Sequence, residues 1–212
     1  MKYLVFLSLF IMISCGNKES VLLPKSNITI VENVADHSPI YIFFRNKGRD
    51  TVADVNRKNS IMSTNWILNI DKRLPLRLVI PEVIKLQQKK REEKAHKKET
   101  AQNYYSYADS IKKNLAFLPF TEIYYKMEQP KDFVTLIHFK KKGLITFNNQ
   151  VLDNNELPQL LNNINKSPNA KLAFSFDRNM SFGEYIQTKI FLEKLQTKSD
   201  AISKNQLHEY IY

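Results

Sequence analysis

The sequence predicts an α+β fold: a mixed sheet with two helices on one face, preceded by a second α+β lobe that is a candidate degenerate copy of the first. Three observations predict it. Phe133, Thr135, Ile137 and Phe139 alternate with Val134, Leu136 and His138, which is the period of a strand. Leu157, Leu160, Leu161 and Ile164 recur at helical spacing. Strand-like and helix-like segments then continue to alternate up to the C-terminus, an order that needs helical crossovers. The 212 residues, 43% hydrophobic and 25% charged, are enough to bury a real core.

The first element is an export leader. Lys2 is followed by an apolar run over 3–13 and then by Ser14-Cys15-Gly16-Asn17, the layout of a signal peptide. Such a run is about 16 Å long as a helix, roughly half a bilayer core, and too short to remain as a span. Met12-Ile13-Ser14-Cys15 resembles the lipobox of bacterial lipoproteins, in which the cysteine is acylated before cleavage. Cys15 is the only cysteine in the chain, which strengthens the match and leaves no second thiol for a disulfide framework or a multi-thiolate zinc site. The leader is therefore expected over 1–14, lipidation at Cys15, and a polar tether over 15–35.

A first α+β lobe is expected over 36–128, with strands at 39–44 and 65–70, a long basic helix from Pro75 to about Lys98, a second helix over 101–113, and strand again over 115–125. Glu128-Gln129-Pro130 marks the break before the second lobe, expected over 129–212. In that lobe a hairpin turns at 140–143, and Asp153 precedes the first helical stripe as a cap. Strand 171–176 follows. Ser181 then opens a second helix, with Glu184 three residues on as its capping-box partner. A short strand over 207–212 closes the chain. Setting 68–71 over 145–148 without a gap brings Val83 and Ile84 near Leu160 and Leu161, and this is the register in which a repeat is first sought.

The second lobe is similar to the periplasmic domain of the ExbD/TolR biopolymer-transport family. The likeness rests on Leu144-Ile145-Thr146-Phe147, on Glu156-Leu157-Pro158-Gln159-Leu160-Leu161, and on Leu172 to Asp177 followed by Ser181-Phe182-Gly183-Glu184-Tyr185-Ile186. It covers about 80 residues, and Asp177, Phe182 and Tyr185 match the family's strand-ending acid and the aromatic residues that follow. The resemblance implies that fold and an association with TonB- or Tol-type envelope machinery. Family members carry a spanning helix with a membrane-embedded Asp; a lipidated leader in its place implies a protein that binds without driving proton flow.

Lys85, Lys89, Lys90, Arg91, Lys94, Lys97 and Lys98 crowd one helix. They are read either as a solvated helix extension or as a docking surface for anionic lipid or wall polymer. The four histidines (37, 96, 138 and 208) show no metal-ligand spacing, and no cofactor is expected. His138 is expected to face out of its strand. The cluster of Tyr104, Tyr105, Tyr107, Tyr124 and Tyr125 is read as packing in preference to a sugar platform. Only four glycines and no nucleophile motif argue against catalysis, and export argues against nucleic acid despite the net charge of +11.

The functional expectation is a non-catalytic lipoprotein on the periplasmic side of the cell envelope, the outer membrane preferred. It would bind a TonB/Tol-type assembly partner or peptidoglycan, with the strand at 207–212 as an edge for a second copy or a partner strand. The alternatives are an envelope glycan-acting enzyme and a structural spacer.

Overall fold

A computed structural model of the chain describes residues 19–93, 98–131, 135–165, 172–196 and 208–212. The leader, Cys15, Lys94, His96 and Lys97 lie outside them. The fold is α+β, with two mixed sheets and three α-helices among the described residues.

In the first sheet, β1 (Lys25–Ser26), β2 (His37–Lys47), β3 (Asp50–Asn56), β4 (Asn65–Ile70), β5 (Asn103–Asp109) and β6 (Leu115–Pro119) are joined. β2, β4 and β5 run parallel, β3 returns antiparallel on β2, and β6 returns antiparallel on β5. Helix α1 (Leu76–Glu92) is the crossover from β4 to β5 and buries Leu76, Val79, Ile80, Val83 and Leu86. The second sheet has the order β10-β9-β8-β11-β12-β7. Its strands are β7 (Tyr124–Lys126), β8 (Thr135–Phe139), β9 (Ile145–Phe147), β10 (Gln150–Leu152), β11 (Leu172–Phe176) and β12 (His208–Ile211), with α2 (Leu157–Asn165) before β11 and α3 (Phe182–Gln196) after it. Leu157 and Leu161 of α2 and Phe182, Tyr185, Ile186 and Ile190 of α3 join one core with Ile137, Phe139, Phe174 and Phe176.

Four strands have the same connectivity in both sheets. β3-β2-β4-β5 and β9-β8-β11-β12 each consist of an antiparallel hairpin followed by two parallel strands, with one helix crossing between the last two. Asp71 and Asp177 close the equivalent strands β4 and β11. The Asp71 amide donates to Ile42 O and the Asp177 amide to Phe139 O, at 3.0 and 2.9 Å. Each carboxylate then turns back to the amide two residues on, Asp71 to Arg73 and Asp177 to Asn179. The match therefore sets Trp66 to Leu76 against Leu172 to Phe182. It differs from the register that sets 68–71 over 145–148, in which β4 would fall on the hairpin strand β9.

The structure corrects four further expectations. The segment read as a helix over 101–113 is β5. Its Asn103, Tyr105, Ser106, Tyr107 and Asp109 are all buried, so both faces are covered and no alternation is visible in the sequence. The strand expected over 115–125 is split, since β7 leaves for the second sheet; the seam therefore falls at 120–123, ahead of the expected break. Residues 22–26 are not free tether: Lys25–Ser26 form β1 of the first sheet and the residues before them are bonded to the first lobe. Pro24 O accepts from the Ala108 amide, and Leu22 O from the Lys72 amide, so the segment fills the gap where β5 leaves β4. Finally, β12 is paired on both sides, by β11 and β7, and is no edge.

Candidate functional site

The positions singled out by the family resemblance meet at the seam between the two lobes. The first turn of any helix leaves amide groups without an intrahelical partner. Here each lobe caps the other's helix. The Leu76 and Arg77 amides at the start of α1 donate to Met180 O and Arg178 O, at 2.9 and 2.8 Å. The Phe182 and Gly183 amides at the start of α3 donate to Leu74 O and Lys72 O, at 2.7 and 2.9 Å. Pro75 and Ser181 face each other across this antiparallel crossing. α1 needs it most, because Pro75 offers no side-chain cap, whereas α3 adds the capping box of Ser181 and Glu184 expected from the sequence. Gly183 permits the close approach: a Cβ there would lie 3.2 Å from Lys72 Cβ and 3.3 Å from Lys72 O.

Below the crossing, a chain of buried polar groups joins the lobes. Tyr185 of α3 donates to Glu209 Oε2 of β12 at 2.7 Å, and Lys189, one turn further along α3, donates to Glu209 Oε1 at 2.6 Å. The Tyr125 hydroxyl lies 3.2 Å from that of Tyr185, and the Tyr105 hydroxyl, on β5 of the first lobe, 2.8 Å from that of Tyr125. Burial holds all three phenols well above their ordinary range, with the Glu209 carboxylate adding to the effect. They stay protonated. Because the Tyr185 hydroxyl donates its hydrogen bond to Glu209, the donors run in order from Tyr105 to Tyr125 to Tyr185 to Glu209. The Tyr105 ring is sandwiched as well, stacked on Phe120 at 3.8 Å and meeting the edge of Phe182 at 5.3 Å. Tyr185 and Phe182 thus serve the joint between lobes, and Asp177 shapes the turn that enters it. The tyrosine cluster is packing at its core, since Tyr105, Tyr107 and Tyr125 are buried, while Tyr124 is exposed.

The basic helix does not form one docking face. Lys90 is a correction: it is only 7% exposed, and its ammonium donates to Thr64 O, Gln102 O and Asn103 Oδ1 above the ring of Trp66. Burial pushes it down to about 8. Arg91 is committed too, donating to Thr121 O and Ile123 O and lying 3.9 Å from the Tyr124 ring centre. Lys85 pairs with Glu82, Lys98 approaches Asp36 at 3.6 Å, and Lys89 is exposed.

His138 is half-buried rather than facing out. Its Nδ1 lies 2.7 Å from Ser175 Oγ and its ring stacks on Tyr212. Burial and the Lys140 charge lower its proton affinity, against a smaller opposing pull from Asp177. The histidine lines an open groove of about 400 Å³ with Lys140, Thr146, Asn148 and Tyr212. Ser175 beneath it is fully buried, so the pair presents no accessible hydroxyl to a substrate. Among the described residues no three His, Cys, Asp or Glu side chains gather in a metal-binding group, and no helix is long and apolar enough to cross a membrane.

Sequence reasoning missed the crossing, Glu209 and Lys189. One signal was present: Ile70-Asp71-Lys72-Arg73-Leu74-Pro75-Leu76 and Phe176-Asp177-Arg178-Asn179-Met180-Ser181-Phe182 share an apolar-Asp-x-x-apolar-x-apolar frame.

Searches of family models, of curated proteins and of solved structures find no match to this chain.

Proposed function

We propose that the chain is a non-catalytic lipoprotein of the cell envelope, held on a membrane by acyl chains on Cys15, that binds a partner of a TonB- or Tol-type assembly through an ExbD/TolR-like second lobe, with the first lobe a degenerate copy. The observation that carries this reading is the shared four-strand connectivity together with the reciprocal crossing of the two Asp turns. Two lobes of one ancestry, packed about an approximate two-fold relation, make a paired binding module in a single chain.

The partner's site is the outer edge of the second sheet. Among the described residues β10 pairs with β9 alone, and its Val151 is 70% exposed. An extended segment of the partner adds to this edge by backbone pairing. The corresponding edge of the first sheet, β3, is blunted by charge: Asp50 is exposed and Asp54 is paired with Arg45.

The test is photo-crosslinking in cells, with the reactive side chain at position 151 and, separately, at position 54. Capture of an envelope-assembly protein or of wall fragments from 151 and not from 54 is expected. Equal yields at both positions, or no partner at either, would remove the reading.

A further inference from the structure

Building on the acylated Cys15 proposed above, we propose that the end of the first lobe formed by the β2–β3 and β5–β6 hairpin tips is a docking surface for an anionic phospholipid bilayer. The argument begins with reach. Four residue steps lead from Cys15 to Glu19, so the acylated end lies at most about 14 Å from Glu19 even when fully extended. Glu19 is fixed at this end of the lobe, since its carboxylate pairs with Arg45 beside the β2–β3 tip. The chain then passes the end of β4, where Leu22 accepts from the Lys72 amide, and reaches the β5–β6 tip, where Ser26 O accepts from the Ser110 amide at 2.8 Å. The anchor therefore brings both tips to the headgroups.

The chemistry of the surface agrees with that occupant. Lys47 and Arg49 form the first tip, and Lys112 and Lys113 the second, all exposed. Among the described residues Lys47, Arg49 and Lys113 have no ion pair, while Lys112 reaches Glu32 at 3.3 Å. Of the nearby acids, Asp71 is buried and held by Arg73, Asp109 is buried and held by the amides of Ile111 and Lys112, and Glu19 and Asp54 pair with Arg45, while the exposed Asp50 offsets one of the two cations of the first tip. Ile111, 69% exposed at the second tip, and Leu22, 46% exposed beside it, supply apolar groups at headgroup depth. The basic turn of α1 lies at the other end. α1 starts next to Asp71 and runs about 21 Å from Leu76 to Lys90, which sits beside Thr64 and Gln102. That separation is about two to three Debye lengths, so the exposed Lys89 feels little of a membrane touching the tips.

The test uses the full acylated chain reconstituted in vesicles containing phosphatidylglycerol and a nitroxide-headgroup lipid. A fluorophore is carried at Lys47→Cys, Lys113→Cys or Lys89→Cys. Labels at 47 and 113 are expected to be quenched at least several-fold more than the label at 89. In each labelled variant, reversing to Glu whichever of Lys47, Arg49, Lys112 and Lys113 does not carry the label, with circular dichroism unchanged, is expected to abolish the difference while flotation persists. The same loss is expected in purely zwitterionic vesicles. Equal quenching at all three sites in a protein that floats overturns the docking surface and leaves the anchor standing. A protein that carries no acyl chain and does not float overturns the anchor and the docking surface together.

Discussion

Removing Lys189 tests whether the seam makes the two lobes one folding unit. Its ammonium and the Glu209 carboxylate are 2.6 Å apart, with side chains 8% and 2% exposed. Lys189→Met leaves that carboxylate buried with the Tyr185 hydroxyl as its one side-chain donor among the described residues, and breaking a buried pair from one side costs about 3–5 kcal/mol. Domains of this kind have about 5–15 kcal/mol in total, so the loss is large. Lys189→Met combined with Glu209→Gln removes both charges and keeps an acceptor for Tyr185, and it should cost at least about 2 kcal/mol less than the sum of the singles. The assay is urea unfolding followed in parallel by circular dichroism and by the fluorescence of Trp66, the single tryptophan, which is buried in the first lobe. Both signals should shift together to a lower midpoint, although the substitution lies in the second lobe. A Trp66 midpoint that stays at the wild-type value would refute the coupling, and a single-mutant cost below about 1 kcal/mol would refute the account of the pair.

Three other expectations follow from the same geometry. Gly183→Val should destabilise by about 2 kcal/mol or more, measured by thermal unfolding, because its branches enter the space of Lys72 and part the four crossing hydrogen bonds; Gly183→Ala should cost less. Tyr185→Phe should cost about 1–3 kcal/mol, since it strands a Glu209 oxygen and removes the acceptor of Tyr125. For Lys90 the folded value of about 8 lies below the ordinary 10.5. The cost of burying its charge is therefore full below about pH 8 and fades as pH rises to 10.5, so wild type should gain stability relative to Lys90→Met over that window in denaturant titrations. A gap that is flat with pH, or that narrows in the opposite direction, would contradict this.

The second lobe was the more legible part of the sequence because neighbouring residues mark the starts and stripes of its helices, although β11 and β12 are buried on both faces. Leu157 and Leu161 against polar neighbours, and Ser181 with Glu184, are local signals that survive into the structure. β5 was misread because Ser106 and Asp109 are buried polar residues, satisfied by Asn69 and by turn amides, and so look solvent-facing in sequence. Lys90 was misread for the same reason: three oxygens and the Trp66 ring sit where solvent was assumed. The crossing at the seam was not legible at all, because it is made of backbone groups from positions more than 100 residues apart, which carry no compositional trace. The tether was overextended because residues 22–26 are held by backbone contacts, Leu22 with Lys72 and residues 24–26 with β5, which leave no trace in the side-chain pattern.

The measurement that bears most directly on the proposed function is metabolic labelling of the wild-type chain and of Cys15→Ser with a palmitate analogue, followed by membrane flotation. The account predicts a labelled wild-type protein that floats with membranes and a Cys15→Ser protein that takes up no label. A wild-type protein recovered unlabelled would contradict it.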